Sequence, residues 1–146
     1  MRIAIGSDHA GFHHKTALIP WLEDQGYEVH DYGTFSEEST DYPDYAIEVA
    51  WAVSTNRADR GILICGTGIG VAITANKVSG VRAANCCSEE MARLAREHNN
   101  ANILTFGGRL VSLELAQRMV EIFLTTPFEG GRHQRRVEKI HRLTGR

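Results

Sequence analysis

The sequence has few cysteines, no long apolar run and almost no excess charge, and each shortage excludes a class of protein. Its three cysteines cannot all pair within one chain, and Cys86 and Cys87 are adjacent. A disulfide scaffold is therefore excluded, and free thiols are expected. No C-x-x-C pair and no second Cys/His pair at zinc-finger spacing occurs, which excludes a structural zinc domain. The apolar runs end within a few residues, against the roughly 20 that a membrane span needs.

The N-terminal segment lacks the apolar stretch and the cleavage site of a signal peptide, so we expect a cytoplasmic protein. Lys+Arg 16 against Asp+Glu 18 gives a formal net charge of −2. Nucleic acids and anionic membranes bind net basic faces, so neither is predicted as a partner. Hydrophobic residues at 42% and charged residues at 23% are typical of a globular chain. The length of 146 residues predicts one domain over residues 1–146.

Short aliphatic runs alternate with longer amphipathic stretches along the chain. The pattern predicts strands at 2–6, 27–32, 61–65, 81–86 and 102–106, and helices at 12–24, 45–53, 71–77, 89–98, 113–124 and 131–146. The run GILIC at 61–65 is apolar on both faces and should form a central strand. This alternation predicts a single doubly wound, Rossmann-like α/β domain of three layers, with a five-stranded parallel sheet and a C-terminal helix.

Ligands of such a sheet bind outside the carboxyl ends of its strands, so the residues after each predicted strand are the site candidates. Asp8 and His9 follow the first strand, and Arg109 follows the fifth. His98 and Asn99 end the helix before the fifth strand, and we expect them to reach the same edge.

The segment CGTGIG at 65–70 is the most specific local feature. Its alternate glycines let backbone N–H groups surround an anion at a helix N-terminus, although tight strand-to-helix packing explains the glycines as well. It is neither a Walker loop nor a dinucleotide fingerprint. A helix N-terminus favours the reactive thiolate of Cys65, whereas a buried cysteine packed as a small hydrophobe is the alternative. For Cys86 and Cys87 we expect the packed hydrophobe.

Histidines and arginines supply the other candidate ligands. His9, His13 and His14 lie close in sequence, but a helical His9/His13 pair needs a helix that begins before Gly11, so no metal site is predicted. His98 lies in a polar stretch and is either a site residue or a solvated helix end.

Arg132 and Arg136 lie four residues apart, on one face of the predicted last helix. This spacing allows the two guanidinium groups to bind one phosphate through paired hydrogen bonds. A solvated basic face, or a contact to a nucleic-acid backbone, is the alternative. The lack of interleaved aromatic residues disfavours nucleic acid.

Several ordered motifs resemble the ribose-5-phosphate isomerase B family, which also contains the galactose-6-phosphate isomerase subunits. They are SDHAGF at 7–12, TDYPDYA at 40–46, ILICGTGIGVAITANK at 62–77, SEEMARLAREHNNANIL at 88–104, FGGRLV at 106–111 and FEGGRHQRRV at 128–137. The likeness covers essentially the whole chain. It implies aldose–ketose isomerisation of a phosphorylated sugar through an enediolate, without a metal or an organic cofactor. It also implies a homodimer, or a dimer of dimers, whose active sites use both subunits.

The resemblance implies a role for each candidate residue. Cys65 matches the base that moves a proton between C1 and C2; other members use a glutamate at the position of Val71. His98 matches the ring-opening acid and base, with Asp8 as its partner at the sugar ring. Thr67 matches the residue that shuttles protons between the two oxygens. The remaining matches bind substrate: Gly66, Thr67, Gly68, Ile69 and Gly70 hold the enediolate, His9, Arg132 and Arg136 hold the phosphate, and Tyr42, Asn99 and Arg109 line the site.

Other functions remain open on the sequence. Ribose 5-phosphate in the non-oxidative pentose phosphate pathway is the predicted substrate, and allose 6-phosphate or a related hexose 6-phosphate is the alternative. A hydrolase would use Cys65 as a covalent nucleophile, His98 as its base and Asp8 to orient the histidine. A phosphate- or nucleotide-binding module would use the glycine loop and the arginines without any chemistry.

Overall fold

Five strands and six helices alternate along the chain in this computed structural model, which describes residues 1–146. The strands are β1 (Arg2–Ser7), β2 (Glu28–Asp31), β3 (Arg60–Cys65), β4 (Ala83–Asn85) and β5 (Ile103–Gly107). The helices are α1 (Phe12–Asp24), α2 (Tyr42–Ser54), α3 (Ile69–Ala75), α4 (Glu89–Asn99), α5 (Leu113–Thr125) and α6 (Arg132–Thr144). A 3-10 turn, His9–Gly11, precedes α1.

The strands form one sheet in the order β2-β1-β3-β5-β4, and every neighbouring pair is parallel. The predicted α/β fold with its five-stranded parallel sheet is confirmed, and β3 is central as expected. The register pairs Ser7 with Ile64 and Cys65 with Gly107. The ends of β1, β3 and β5 therefore lie together at what we call the carboxyl edge; the opposite side of the sheet is the amino edge.

Two hydrophobic clusters cover the two faces of the sheet. Alternate side chains of a strand point to opposite faces. Ile62 and Ile64 of β3 accordingly join the cluster under α1, α4 and α5, whereas Leu63 and Cys65 join the cluster under α2 and α3. This arrangement makes the three layers, and it buries the strand end that carries Cys65.

The last helix has a different environment from the others. α6 packs mainly on α4 and buries only His133 and Val137. Ile140 and Leu143 on the same helix are 46% and 73% exposed. α6 is thus a surface helix with uncovered apolar side chains.

Several boundaries differ from the predicted ones for local reasons. α2 begins at Tyr42 instead of residue 45, because Pro43 lies in the first turn, where a missing N–H costs nothing. α3 begins directly after Gly68, which adopts φ +82°. The second and fourth strands are shorter than predicted. No helix is both long enough and apolar enough to cross a membrane.

Candidate active site

Cys65 lies at the carboxyl edge, in the crevice where strand order reverses between β1 and β3. Such switch points are the usual ligand sites of parallel sheets. Cys65 is 5% exposed, and its Sγ accepts a hydrogen bond from the Gly68 N–H at 3.2 Å. A backbone N–H directed at sulfur stabilises negative charge there. The structure therefore places the predicted base in a buried position with a donor aimed at it.

The loop at 66–70, the glycine loop, is held in place by residues of the neighbouring strands. A Cβ at Gly68 would lie 2.2 Å from Asn85 Oδ1 and 2.6 Å from the carbonyl carbon of Phe106, so only glycine fits. The Thr105 hydroxyl donates to the Gly68 carbonyl at 2.9 Å, and the Asn85 side chain donates to the Thr67 carbonyl at 3.4 Å. Asn85 and Thr105 were missed in the sequence, although a polar residue inside the apolar strand β5 was an available signal.

The glycine loop offers several backbone donors to a ligand. The Gly68 N–H bonds the cysteine sulfur, and the Ile69 N–H bonds the Thr67 hydroxyl at 3.2 Å. The N–H groups of Gly66, Thr67, Gly70 and Val71 have no acceptor within the chain. These groups can donate to an anionic oxygen beside Cys65, as an oxyanion hole does.

Asp8 and His9 follow β1 at the same edge. Asp8 is buried, and its Oδ1 accepts from the N–H groups of Ala10 at 2.9 Å and Gly11 at 3.2 Å, which caps the 3-10 turn. The His9 Nδ1 accepts from the Thr40 N–H at 3.1 Å. An amide N–H can only donate, so the proton of the neutral ring lies on Nε2. His9 is thereby held as an Nε2–H donor.

Tyr42 and Arg109 flank the glycine loop. A Cβ built on Gly70 would lie 2.5 Å from the Tyr42 ring, and one built on Gly66 would lie 3.1 Å from the Arg109 guanidinium. The Arg109 backbone N–H also donates to the Gly66 carbonyl at 3.2 Å. The structure thus brings Asp8, His9, Tyr42, the glycine loop and Arg109 to one edge around Cys65.

His98 and Asn99 do not reach this edge within the chain, so that expectation is wrong. α4 begins after β4 at the carboxyl edge and runs back, because a crossover helix must return to the start of the next strand. Its 11 residues span about 16 Å. The Arg82 Nε, just before β4, donates to the Asn99 carbonyl at 3.2 Å. His98 and Asn99 therefore lie at the amino edge.

Arg132 and Arg136 lie beside His98 and not beside His9. His133, between them on α6, stacks on His98 with ring centroids 4.3 Å apart and planes inclined by 9°. Both arginines are exposed, with no side-chain hydrogen bond or ion pair. We call His98, Asn99, Arg132 and Arg136 the His98 cluster; it forms a second group of candidate residues, apart from the first.

One further set of side chains has the composition of a metal site. His98, Glu129 and His133 each offer a ligand atom within 4.8 Å of the others. The lone pairs of an imidazole lie in its ring plane, so two stacked, nearly parallel rings direct them along parallel lines and not at one ion. This geometry does not fit a metal centre.

The other two cysteines differ from each other. Cys86 is buried as expected, and burial raises the pKa of its thiol to about 12. Cys87 is exposed, so the expectation that it packs as a small hydrophobe is wrong. It follows a three-residue edge strand, where few neighbours are available to cover it.

Comparisons with known proteins identify the family of this chain. The Ribose/Galactose Isomerase family matches residues 3–140. Ribose-5-phosphate isomerase B of Escherichia coli (strain K12) is 52% identical over 139 residues, which are 95% of this chain and 93% of that protein. The structure of ribose-5-phosphate isomerase B from Clostridium thermocellum superimposes with a TM-score of 0.98 at 52% identity, covering 99% of this chain and 98% of that one.

A third relative carries a ligand. Ribose-5-phosphate isomerase B of Mycoplasma genitalium, solved with bound ribulose-5-phosphate, superimposes with a TM-score of 0.95 at 46% identity, over 99% of this chain and 96% of that one. The similarity extends over the strand ends and loops described above as well as over the sheet. This chain belongs to the Ribose/Galactose Isomerase family.

Proposed function

We propose that this protein interconverts ribose 5-phosphate and ribulose 5-phosphate through an enediolate, as a cytoplasmic enzyme of the non-oxidative pentose phosphate pathway. One arrangement carries the proposal: a buried thiol at a strand end beside a loop of unpaired backbone N–H groups. The names of the Escherichia coli and Mycoplasma genitalium relatives point to the same substrate pair. Residues 1–146 act as one isomerase domain, since both hydrophobic clusters share a single sheet.

The proton transfer at carbon uses Cys65. In the open aldose the C1 carbonyl acidifies the hydrogen on C2, and the Cys65 thiolate removes it. Negative charge then develops on the oxygens of the enediolate, which the free N–H groups of the glycine loop stabilise. The Thr67 hydroxyl moves a proton between O1 and O2, and the Cys65 thiol returns its proton to C1. The product is the ketose, and no external oxidant or reductant is consumed.

Ring opening must come first, because a furanose has no carbonyl. The His98 imidazole takes the proton of the C1 hydroxyl and donates a proton to the ring oxygen, which a histidine can do at neutral pH. Asp8 uses only Oδ1 for the 3-10 turn, which leaves Oδ2 to accept a hydrogen bond from the sugar.

The two groups of residues meet only if two subunits combine. We infer a homodimer in which the His98 cluster of one subunit faces the glycine loop of the other, since one chain holds the two groups at opposite edges. Adjoining cavities of about 410 and 510 Å³ support this geometry. They share Asn76 and Arg146, and they extend from Ile69 on the glycine loop to Asn99. A second copy seated there also covers the exposed Ile73 and Ile140.

The assembled site holds the phosphate at its far end. The His9 Nε2–H, Arg132 and Arg136 supply charge-assisted donors to the phosphate oxygens. Tyr42, Asn99 and Arg109 line the sugar between the phosphate and Cys65. Neither nucleic acid nor a membrane has a part in this function.

A direct kinetic comparison tests the proposal. The kcat/KM of the purified protein for ribose 5-phosphate should exceed that for allose 6-phosphate. A preference for the hexose would make the protein a hexose-6-phosphate isomerase. Binding of both sugars without turnover would favour a phosphate-binding module, and trapping of an acyl group on Cys65 would favour a hydrolase.

A further inference from the structure

The stacked pair His98 and His133 contains a histidine that the mechanism above does not use. Its rings are nearly parallel, with centroids 4.3 Å apart. His133 is 7% exposed, and its Nε2 is buried without a hydrogen-bond partner. The nearest acidic atom, Glu129 Oε2, lies 3.6 Å from that nitrogen. His133 is thus a buried imidazole without a hydrogen-bond partner, and it stacks on His98, the residue proposed as acid and base. This arrangement needs a physical explanation.

The two rings lie at helix ends of opposite polarity. His98 is in the last turn of α4, at the negative end of the helix dipole. His133 is in the first turn of α6, where the positive end opposes protonation. The position of His133 in its helix therefore disfavours a proton on its ring.

Neighbouring charges act in the same direction. The charged and titratable groups that face His133 are His98 from α4, Glu129 from the segment before α6, and Arg132 and Arg136 from α6 itself. Burial, His98 and the two arginines lower the pKa of His133, and Glu129 only partly opposes them. Two imidazolium rings in van der Waals contact would also repel each other.

We propose that His133 is a positioning residue for His98: its ring holds the His98 imidazole by stacking and stays uncharged, so that His98 is the ring that gains and loses the proton. The inference rests on the proposed ring-opening role of His98. An imidazole at an exposed helix end otherwise rotates about two side-chain torsions, and a displacement of about 1 Å can reduce a catalytic rate about a hundredfold. Stacking on the face of the His133 ring removes most of the rotational freedom of the His98 side chain.

Substitutions that separate stacking from titration test this role. His133→Phe keeps an aromatic face without a titratable nitrogen, whereas His133→Ala removes the face. Erythrose 4-phosphate supplies the internal comparison, because its C4 oxygen carries the phosphate and its aldehyde cannot close a furanose ring. His30→Phe, the same change on the distant edge strand β2, is the matched control.

For His133→Phe we expect kcat within about threefold of wild type in both directions, with an unchanged pH profile. For His133→Ala we expect kcat/KM to fall about ten- to a hundredfold on ribose 5-phosphate and little on the open-chain erythrose 4-phosphate. A loss in His133→Phe as large as that in His98→Asn would show that His133 itself carries the proton. Equal losses of His133→Ala on the two aldoses would show a merely structural role.

An NMR titration of ¹³C-labelled histidine decides the proton assignment without activity. In the wild-type protein, the pKa of His133 should lie below the ordinary imidazole value, and a raised pKa would overturn the proposal. If the wild-type protein isomerised neither sugar, the proposed function would fail, while this titration would still decide whether the His133 ring stays uncharged. If His133→Ala failed to fold, His133→Phe and the titration would give the decision.

Discussion

The carboxyl edge and the His98 cluster are held by different means. At the carboxyl edge, backbone groups make the site: the Gly68 N–H bonds the Cys65 sulfur, and Thr105 and Asn85 bind the loop from neighbouring strands. The arginines of the His98 cluster lie on α6, a surface helix that packs mainly on α4, and they have no partners in the chain. The first region is fixed by contacts within the chain, whereas the arginine side chains of the second are not.

The roles proposed for the two regions explain this difference. An enediolate is short-lived, so its donors must already be in place when the charge develops. A phosphate is present before and after the reaction, and flexible arginines can close on it as it binds. The proposed roles therefore pair fixed backbone donors with the transient charge and exposed side chains with the permanent one.

The largest effect is expected for Cys65→Ala. Loss of the general base should reduce kcat by about 10²–10⁴-fold or more, while binding of inorganic phosphate persists because the His98 cluster is untouched. Cys86→Ala is the control: its thiol, with a pKa of about 12, stays protonated and serves only packing. Near-wild-type turnover in Cys65→Ala would show that another group is the base.

Mixing two inactive variants tests whether the regions act across subunits. Cys65→Ala and His98→Asn homodimers should each be inactive on ribose 5-phosphate. After subunits exchange at random, half of the dimers are mixed and each has one intact site of two, so about a quarter of wild-type activity should return. No recovery, despite exchange verified by mass spectrometry, would mean that each site lies within one chain.

Replacement of Arg132 or Arg136 by Ala should cost about ten- to a hundredfold in kcat/KM, since each contributes a charge-assisted hydrogen bond of about 1.5–3 kcal/mol. Lysine at either position should restore only part of the lost kcat/KM, because its single ammonium group cannot make the two parallel hydrogen bonds of a guanidinium. The measurement compares phosphorylated with unphosphorylated sugar. Equal losses on the two substrates would assign these arginines to structure and not to the phosphate.

The smallest effect is expected at His9. In His9→Gln, the side-chain amide N–H can lie near the position of the histidine Nε2. In His9→Asn, the shorter side chain reaches only the position of Nδ1. Since Thr40 already occupies Nδ1, His9→Gln should keep KM within about threefold and His9→Asn should raise it about tenfold. The opposite ranking would show that Nδ1, and not Nε2, contacts the phosphate.

Local features of the fold were predictable, whereas long-range placement was not. The central position of β3 followed from an apolar run at 61–65, and the glycine loop followed from its spacing. The insertion of β5 between β3 and β4 has no trace in local periodicity, because hydrogen bonding between strands chooses the order. The prediction of a parallel sheet was therefore correct, whereas the order of its strands was not predicted.

The misplacement of His98 has a clear cause. Its sequence position before the fifth strand was interpreted as nearness to that strand's far end, although a helix that leads into a strand ends where the strand begins. The stack with His133 had no sequence signal, since the two residues are on different helices. Asn85 and Thr105 act through contacts between separate strands and the glycine loop, which only the fold creates.

The backbone construction of the glycine loop bears on how this scaffold can change over evolutionary time. Amide groups survive almost any substitution, so mutations at Cys65, Thr67 or Val71 can exchange the reactive side chain while the surrounding donors keep their positions. Cys65 and Val71 lie in the core, so a library that randomises the exposed Thr67 and restricts these two sites to residues of similar volume should yield mostly folded variants. Randomising Gly68 instead should yield few folded members, because any side chain there collides with Asn85 and the β5 backbone.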